Sequence, residues 1–231
     1  MSKIYVDTVE PEGASTVLTL GAVGDTVNID GTAGTGFPSS GFTRLHIPSS
    51  GAYTVPTGVT KIVVEVQGAG GSSGNSTGSH GSSGSGAGGY AMKSLSVTTG
   101  DAMTVAVGAV TATAAGGDSK FTSDTAAFTE VKGTGGGPGT VSSGTVDGGA
   151  GGVGSGGDLN IDGHMGSPKN ANDSNMVGAG SMFGSGGITR SDGTTTGRTA
   201  TGYGAGGSGS NQSTGVGGNG SPGLVIVWEY K

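Results

Sequence analysis

Glycine lacks a Cβ, and this chain places it where a linker would not be. Of 231 residues 55 are glycine; ten fall between Gly68 and Gly89 and 31 between Gly133 and Gly220. Both runs are bracketed by well-patterned strands, Lys61–Gln67 before the first and Leu224–Tyr230 after the second. A disordered linker joins domains or trails off an end, whereas this tract leaves a β-sheet and has to return to it. Backbones without side chains can approach closely and pair through their own amides. The pattern therefore predicts a small β-domain carrying closely packed glycine-rich segments, a rigid platform for short polar loops.

Composition narrows the choice. Hydrophobic residues make up 31% of the chain, against a usual ~45–50%, so the apolar core is small. With 11% charged residues the chain also lacks the charge density of a solvated disordered protein. The formal net charge is −6, and no basic stripe exists to displace counterions, so nucleic acid is excluded as a partner. No apolar run is long enough to cross a bilayer as a helix, and insertion into a membrane is not expected. With no cysteine there is neither a disulfide framework nor a thiolate zinc site.

The apolar signal has period two throughout, and no window carries the i, i+3, i+4, i+7 pattern of an amphipathic helix. Residues 1–41 hold three short strands, around Ile4-Tyr5-Val6, Val17–Leu20 and Thr26–Asp30, separated by Gly and Asp turns. Strands this short bury little alone, and identical chains would supply the missing faces. This segment is read as an attachment and trimerisation unit. Residues 42–132 are read as a β-sandwich, with strands at Phe42–Ile47, 52–55, Lys61–Gln67, 90–97, 103–107 and 128–132, and with Gly116-Gly117-Asp118 as a turn. The strand at 223–230 completes it. Residues 133–222 are then a glycine-rich insertion of about ninety residues, far beyond the usual ~12–15-residue ceiling for a loop without structure. Its glycines follow no strict triplet and proline is scarce, which excludes collagen; polyproline-II segments fit. The expected fold class is all-β: a small β-sandwich with an inserted glycine-rich, polyproline-II-like region, preceded by a short fibrous β segment, without significant helix.

The order of the motifs carries a family resemblance. Gly58-Val59-Thr60-Lys61-Ile62-Val63-Val64-Glu65-Val66 is followed by a glycine run, then by Gly88-Gly89-Tyr90-Ala91 and Leu95-Ser96-Val97-Thr98-Thr99-Gly100-Asp101. Thr104-Val105-Ala106-Val107-Gly108, the long tract and the closing Pro222-Gly223-Leu224-Val225-Ile226-Val227-Trp228 come next. This order resembles the glycine-rich distal domain of bacteriophage tail fibres and related receptor-binding adhesins. The opening Lys3-Ile4-Tyr5-Val6-Asp7-Thr8-Val9-Glu10-Pro11 is similar to the N-terminus of small phage fibres. The resemblance implies a homotrimer in the virion tail, made in the host cytoplasm. It would be joined to a tail or proximal fibre protein through its N-terminus and would bind a host surface glycan or outer-membrane protein. It implies no catalytic residue.

Glycine-poor polar stretches at 158–177 and 188–201, with 72–83 as a third, are the candidate recognition loops. They offer Asn160, His164, Asn170, Asn172, Asn175, Arg190, Asp192 and Arg198, and Tyr203 is an aromatic beside them. Asp158, Asn160 and Asp162 reproduce the first half of a calcium loop, with oxygen ligands at alternate positions before Gly163. The closing glutamate is replaced by Lys169, so a polar turn is the favoured reading and no metal or cofactor is expected. Gly70-Gly71-Ser72-Ser73-Gly74 matches a nucleophile elbow but leads into more glycine rather than a helix, and is set aside. Two other classes stay open: a structural or ice-ordering glycine-rich protein, and a polysaccharide depolymerase. The second would need paired carboxylates, and acidic residues here are sparse.

Overall fold

The computed structural model describes residues 41–78, 80–125, 128, 130–170, 176–188, 196–211 and 215–231. The strands expected before residue 41, and with them the trimerisation segment, lie outside the described residues. The rest is all-β, without helix among the described residues. In chain order the strands are β1 (Phe42–Ile47), β2 (Gly51–Thr54), β3 (Lys61–Gln67), β4 (Gly81–Ser82), β5 (Tyr90–Ser96), β6 (Ala102–Ala106) and β7 (Ser119–Ser123). Then come β8 (Val131–Gly133), β9 (Val141–Ser142), β10 (Gly154–Ser155), β11 (Leu159–Ile161), β12 (Phe183–Ser185), β13 (Thr201–Tyr203) and β14 (Leu224–Tyr230).

Two five-stranded sheets pack face to face. The first runs β1-β14-β3-β5-β11 and the second β10-β8-β7-β6-β2, with every pair antiparallel. Strict alternation selects the buried side of β3, where Ile62, Val64 and Val66 are shut from solvent. Opposite residues of an antiparallel pair share a face, so Val225 and Val227 of β14 join them, across from Val66 and Val64. Met103, Val105, Phe121 and Val131 close the core from the second sheet. Glu229 also points inward and is 4% exposed; the Tyr53 hydroxyl crosses from β2 to donate to it at 3.0 Å. Such pairing is the condition for keeping a carboxylate inside.

Two expectations need correction. The strand read at 128–132 starts only at Val131, while Phe128 stacks its ring on Phe121 at 6.0 Å. Gly116-Gly117-Asp118 is not the turn; the chain turns at 112–114, and Thr113 takes a positive φ of 57°. Gly116 and Gly117 instead donate to Gly136 and Ala109. β7, which follows, supplies the fully buried Phe121.

The glycine-rich segments form a hydrogen-bonded array, and its bonds rotate with a period of three. Along 82–89, the amides of Ser82, Ser85 and Gly88 donate to Ser210, Gly207 and Gly204. Those of Ser83, Gly86 and Gly89 donate to Thr140, Gly137 and Thr134, and those of Gly84 and Ala87 to Ser167 and His164. Carbonyls of the same segment accept from Gly68 and Gly71, from Gly149 and Gly152, and from Ala179. The segment thus sits at the centre of six others. Along 68–76 the rule repeats: Gly70, Ser73 and Ser76 donate to Ser221, Gly218 and Gly215. A repeat of three matches a helix with three residues per turn and no bonds of its own; along 82–89 every amide is satisfied sideways.

The spacing leaves no room for side chains. A Cβ built on Gly152 would sit inside contact distance of the Thr134 carbonyl, and one on Gly206 inside that of Ser85, whereas one on Gly144 meets nothing within 4 Å. Gly152→Val or Gly206→Val should therefore cost at least the ~1–3 kcal/mol typical of overpacking, because backbone rather than a flexible side chain is displaced. Gly144→Ala should leave Tm unchanged or slightly raised. Equal melting of all three variants in a calorimeter would count against a packed array.

Candidate functional site

The outer face of the first sheet is set by register. Across β1, β14, β3 and β5 run the rows Phe42–Tyr230–Lys61–Ser96 and Arg44–Trp228–Val63–Ser94. Next come His46–Ile226–Glu65–Met92–Leu159 and Leu224–Gln67–Tyr90–Ile161, the last two reaching β11. Leu224, Ile226, Trp228 and Tyr230 therefore belong to this face, not to the sandwich core. Glu65 organises it: Trp228 Nε1 donates to one carboxylate oxygen at 2.6 Å and the Tyr90 hydroxyl to the other at 2.9 Å. Arg44 lies over the Trp228 ring at 5.1 Å, and Phe42, 63% exposed, tilts against it at 5.7 Å.

The β12–β13 hairpin closes over the end of this face nearest the array. Phe183 packs on Tyr90 at 6.0 Å and Tyr203 meets His46 edge-on at 5.2 Å. The Ser181 hydroxyl donates to the Tyr203 carbonyl. Gly202 and Gly204 carry the positive φ values, 74° and 76°, that bend the chain out of β13. Gly204 also lies where a Cβ would strike the Gln67 side chain, so glycine is needed there twice over.

Between hairpin and sheet remains a cleft of about 290 Å³. Gln67, Tyr90 and Ile161 form its floor, Asp162 and His164 one side, and Ser181 and Met182 the other. The Gln67 amide is fixed in orientation, since Nε2 donates to Gly88 O at 2.8 Å and to Gly68 O and Gly89 O at 3.3 Å. Turning it over would set oxygen against three carbonyls. In the observed orientation Gln67 Oε1 is buried with no hydrogen-bond partner.

The sequence candidates divide between two places. Residues 158–177 are not one loop: Leu159–Ile161 is edge strand β11, and Gly163 and Gly166 donate within the array to Gly152 and Gly149. Asn160, His164, Tyr203, Asp158 and Asp162 consequently lie where sheet and array meet. The three calcium-loop candidates have separate partners. Asp158 accepts from Ser94 N at 2.9 Å and faces Lys93 at 3.7 Å, Asn160 folds onto Gly157 at 2.9 and 3.0 Å, and Asp162 accepts from Gly154 N at 3.3 Å. No group of three or more acidic or histidine side chains able to hold a metal occurs among the described residues. Gln67, Ser181 and Met182 were not among the candidates.

The second place is the end of the array remote from the sheets. Ser76 bonds Gly215, Ser82 bonds Ser210, Gly209 bonds Met176, and Val146 pairs with Lys169. The described segment ends on either side of 79, 171–175 and 212–214 thereby lie side by side. Asn170 is exposed there, and Lys169 beside it is 2% exposed, with Nζ donating to Gly144 O at 3.3 Å. Arg198 is exposed but belongs to an array segment, its amide donating to Ser208 Oγ at 2.7 Å. Asn172, Asn175, Arg190 and Asp192 lie outside the described residues. Compared with known proteins, the chain matches no protein-family model and no curated sequence.

Burial, and then the hydrogen bond to a carboxylate, push the phenols of Tyr53 (with Glu229) and Tyr90 (with Glu65) well above the ordinary range. A raised folded-state pKa means that this contribution is complete below the unfolded value, about 10, and is lost as pH rises beyond it. Ultraviolet titration should show these two phenols ionising only together with unfolding. In Tyr53→Phe and Tyr90→Phe that late step should shrink by one phenol each; its persistence in both variants would contradict the assignment.

Proposed function

We propose that the chain is a receptor-binding adhesin of the tail-fibre type. It would attach a virion to a bacterial surface through the turns at the far end of the glycine array, without catalysis. The observation that carries this reading is that the segment ends flanking 79, 171–175 and 212–214 lie side by side, on a scaffold held chiefly by backbone bonds. Because the scaffold bonds are made by the backbone and by serines of the segments themselves, turn sequences can change while the segments beneath stay fixed. Glycine segments offer little but backbone, and the turns offer mixed donors and acceptors such as Asn170.

In this reading residues 1–41 join the chain to the tail and associate three copies. Weak contacts at each tip then act together, since linked sites raise effective concentration. Single hydrogen bonds of ~0.5–1.5 kcal/mol net make each alanine substitution at a tip partial in effect.

Exchanging 170–175 together with 189–195 for unrelated polar turns, with the buried Lys169 and Met176 kept, should abolish or redirect binding to susceptible cells while Tm stays within a degree or two. Light scattering on the full chain should give three times the 21.7 kDa chain mass. Unchanged adsorption after the exchange, or a monomer at micromolar concentration, would overturn the corresponding half of the proposal.

A further inference from the structure

The cleft between the β12–β13 hairpin and the outer face of the first sheet is unlike the tip, and its polar groups have a one-sided inventory. The side-chain donors of Gln67, Tyr90 and Ser181 are committed, while the exposed His164 imidazole at the rim has no partner among the described residues. The Ser181 hydroxyl donates to Tyr203 O, the Tyr90 hydroxyl to Glu65, and the Gln67 amide to three backbone carbonyls. Three backbone amides of the wall are spent as well, Gly88 on Gly204, Gly163 on Gly152 and Ser181 on Gly184. The acceptors are left over. Asp162 uses one carboxylate oxygen on a long 3.3 Å bond from Gly154 and has no cationic partner among the described residues. Gln67 Oε1 has no donor at all.

An oxygen without a donor in a region of low dielectric makes the wall around it electronegative, and a carboxylate at the rim adds a formal charge. Tyr90, Ile161 and Met182 supply an apolar lining. We propose that this cleft binds a primary ammonium group carried on a short apolar chain. The ammonium offers three donors and no acceptor, the complement of the Asp162 carboxylate and the Gln67 Oε1, and the alkyl part lies along Ile161 and Met182. A neutral polyol fits less well, because its oxygens would find the donors of Gln67, Tyr90 and Ser181 already engaged. The volume, about 290 Å³, is at the small end of ligand sites and suits a lysine-sized amine. The inference does not depend on the adhesin reading, since it concerns the opposite end of the array.

The test is a titration of the isotope-labelled full-length chain with n-butylammonium, followed by amide resonances. n-Butanol serves as the uncharged counterpart and methyl glucoside as the polyol. The expected result is saturable binding in the millimolar range, with shifts centred on 162–164 and 180–182 and no comparable response to the two neutral probes. Asp162→Asn, which keeps the oxygen facing Gly154, should weaken binding about tenfold, and raising salt should weaken it further.

Gly180→Leu provides a steric block. A Cβ there meets only Gly184 O, at 3.6 Å, so the fold tolerates it while the cleft fills, and binding should be lost at unchanged Tm. Met182→Ala, at a 58% exposed position, should weaken binding without affecting folding and serves if Gly180→Leu misfolds. Absence of saturable shifts, equal response to n-butanol, preference for methyl glucoside, or unaltered affinity in Asp162→Asn would each overturn the proposal.

Discussion

Everything in this molecule depends on backbone amides finding carbonyls on neighbouring segments while no Cβ stands between them. Each such bond contributes modestly, ~0.5–1.5 kcal/mol net, but an unmade one in the interior is costly, so the array is close to all-or-none. Its rotation by three distributes the bonds of 82–89 over six neighbours, which is why that segment tolerates only Gly, Ser and Ala. The serines use their hydroxyls to stitch the same network: Ser85 Oγ donates to Gly71 O and Gly207 O at 2.7 and 2.8 Å. The sandwich is conventional by comparison and serves as the anchor from which the segments leave and to which they return.

The anchor was legible because its strands carry side-chain patterns. β1, β3 and β14 are readable with their boundaries, β3 from the apolar residues Ile62, Val64 and Val66 at alternate positions and β14 as a short apolar run from Leu224 to Trp228. β7 was missed because Phe121 is its one large apolar residue, and a single ring in Ser-Lys-Phe-Thr-Ser makes no period. The need for packed glycine was readable from the strands on either side of each run. Which segment lies beside which was not, because glycine offers no pattern to match and the pairings join residues more than a hundred apart, as Ser82 and Ser210 do. The same distance hid the cleft. Asn160, His164 and Tyr203 drew notice as polar or aromatic residues in a glycine tract. Gln67 looked like an outward-facing strand residue, as its register requires, and only the hairpin arriving from residues 181–203 makes it buried.

The two sides of the first sheet meet opposite demands. Its inner side excludes water with valine and isoleucine, and its outer side is held by the Glu65 carboxylate bridging Trp228 and Tyr90. Asp118 and Lys132 play a comparable part on the second sheet, 2.8 Å apart. Burial alone would raise the Asp118 carboxyl. The Lys132 hydrogen bond, the Gly135 amide and the charges of Lys132 and Lys120 outweigh it and leave it below its usual range. That contribution is present above the ordinary carboxylate pKa and is lost as pH falls through the lowered one. Acid and alkali therefore strike different joints of the same sandwich.

The position of β14 has a consequence for how the chain folds. It lies between β1 and β3, so an early strand cannot reach its sheet until residues 224–230 are in place. The array has the same property, because 215–221 bonds both 68–76 and 204–210. Loop closure over such separations is entropically slow, and local contacts do little to prepare it. Completion of sheet and array is thus one coupled event, and withdrawing 215–230 would undo the pairings of β14 with β1 and β3 together with the array bonds to 68–76 and 204–210. A chain whose last strand bolts β1 to the rest opens as one cooperative unit rather than by fraying strand by strand.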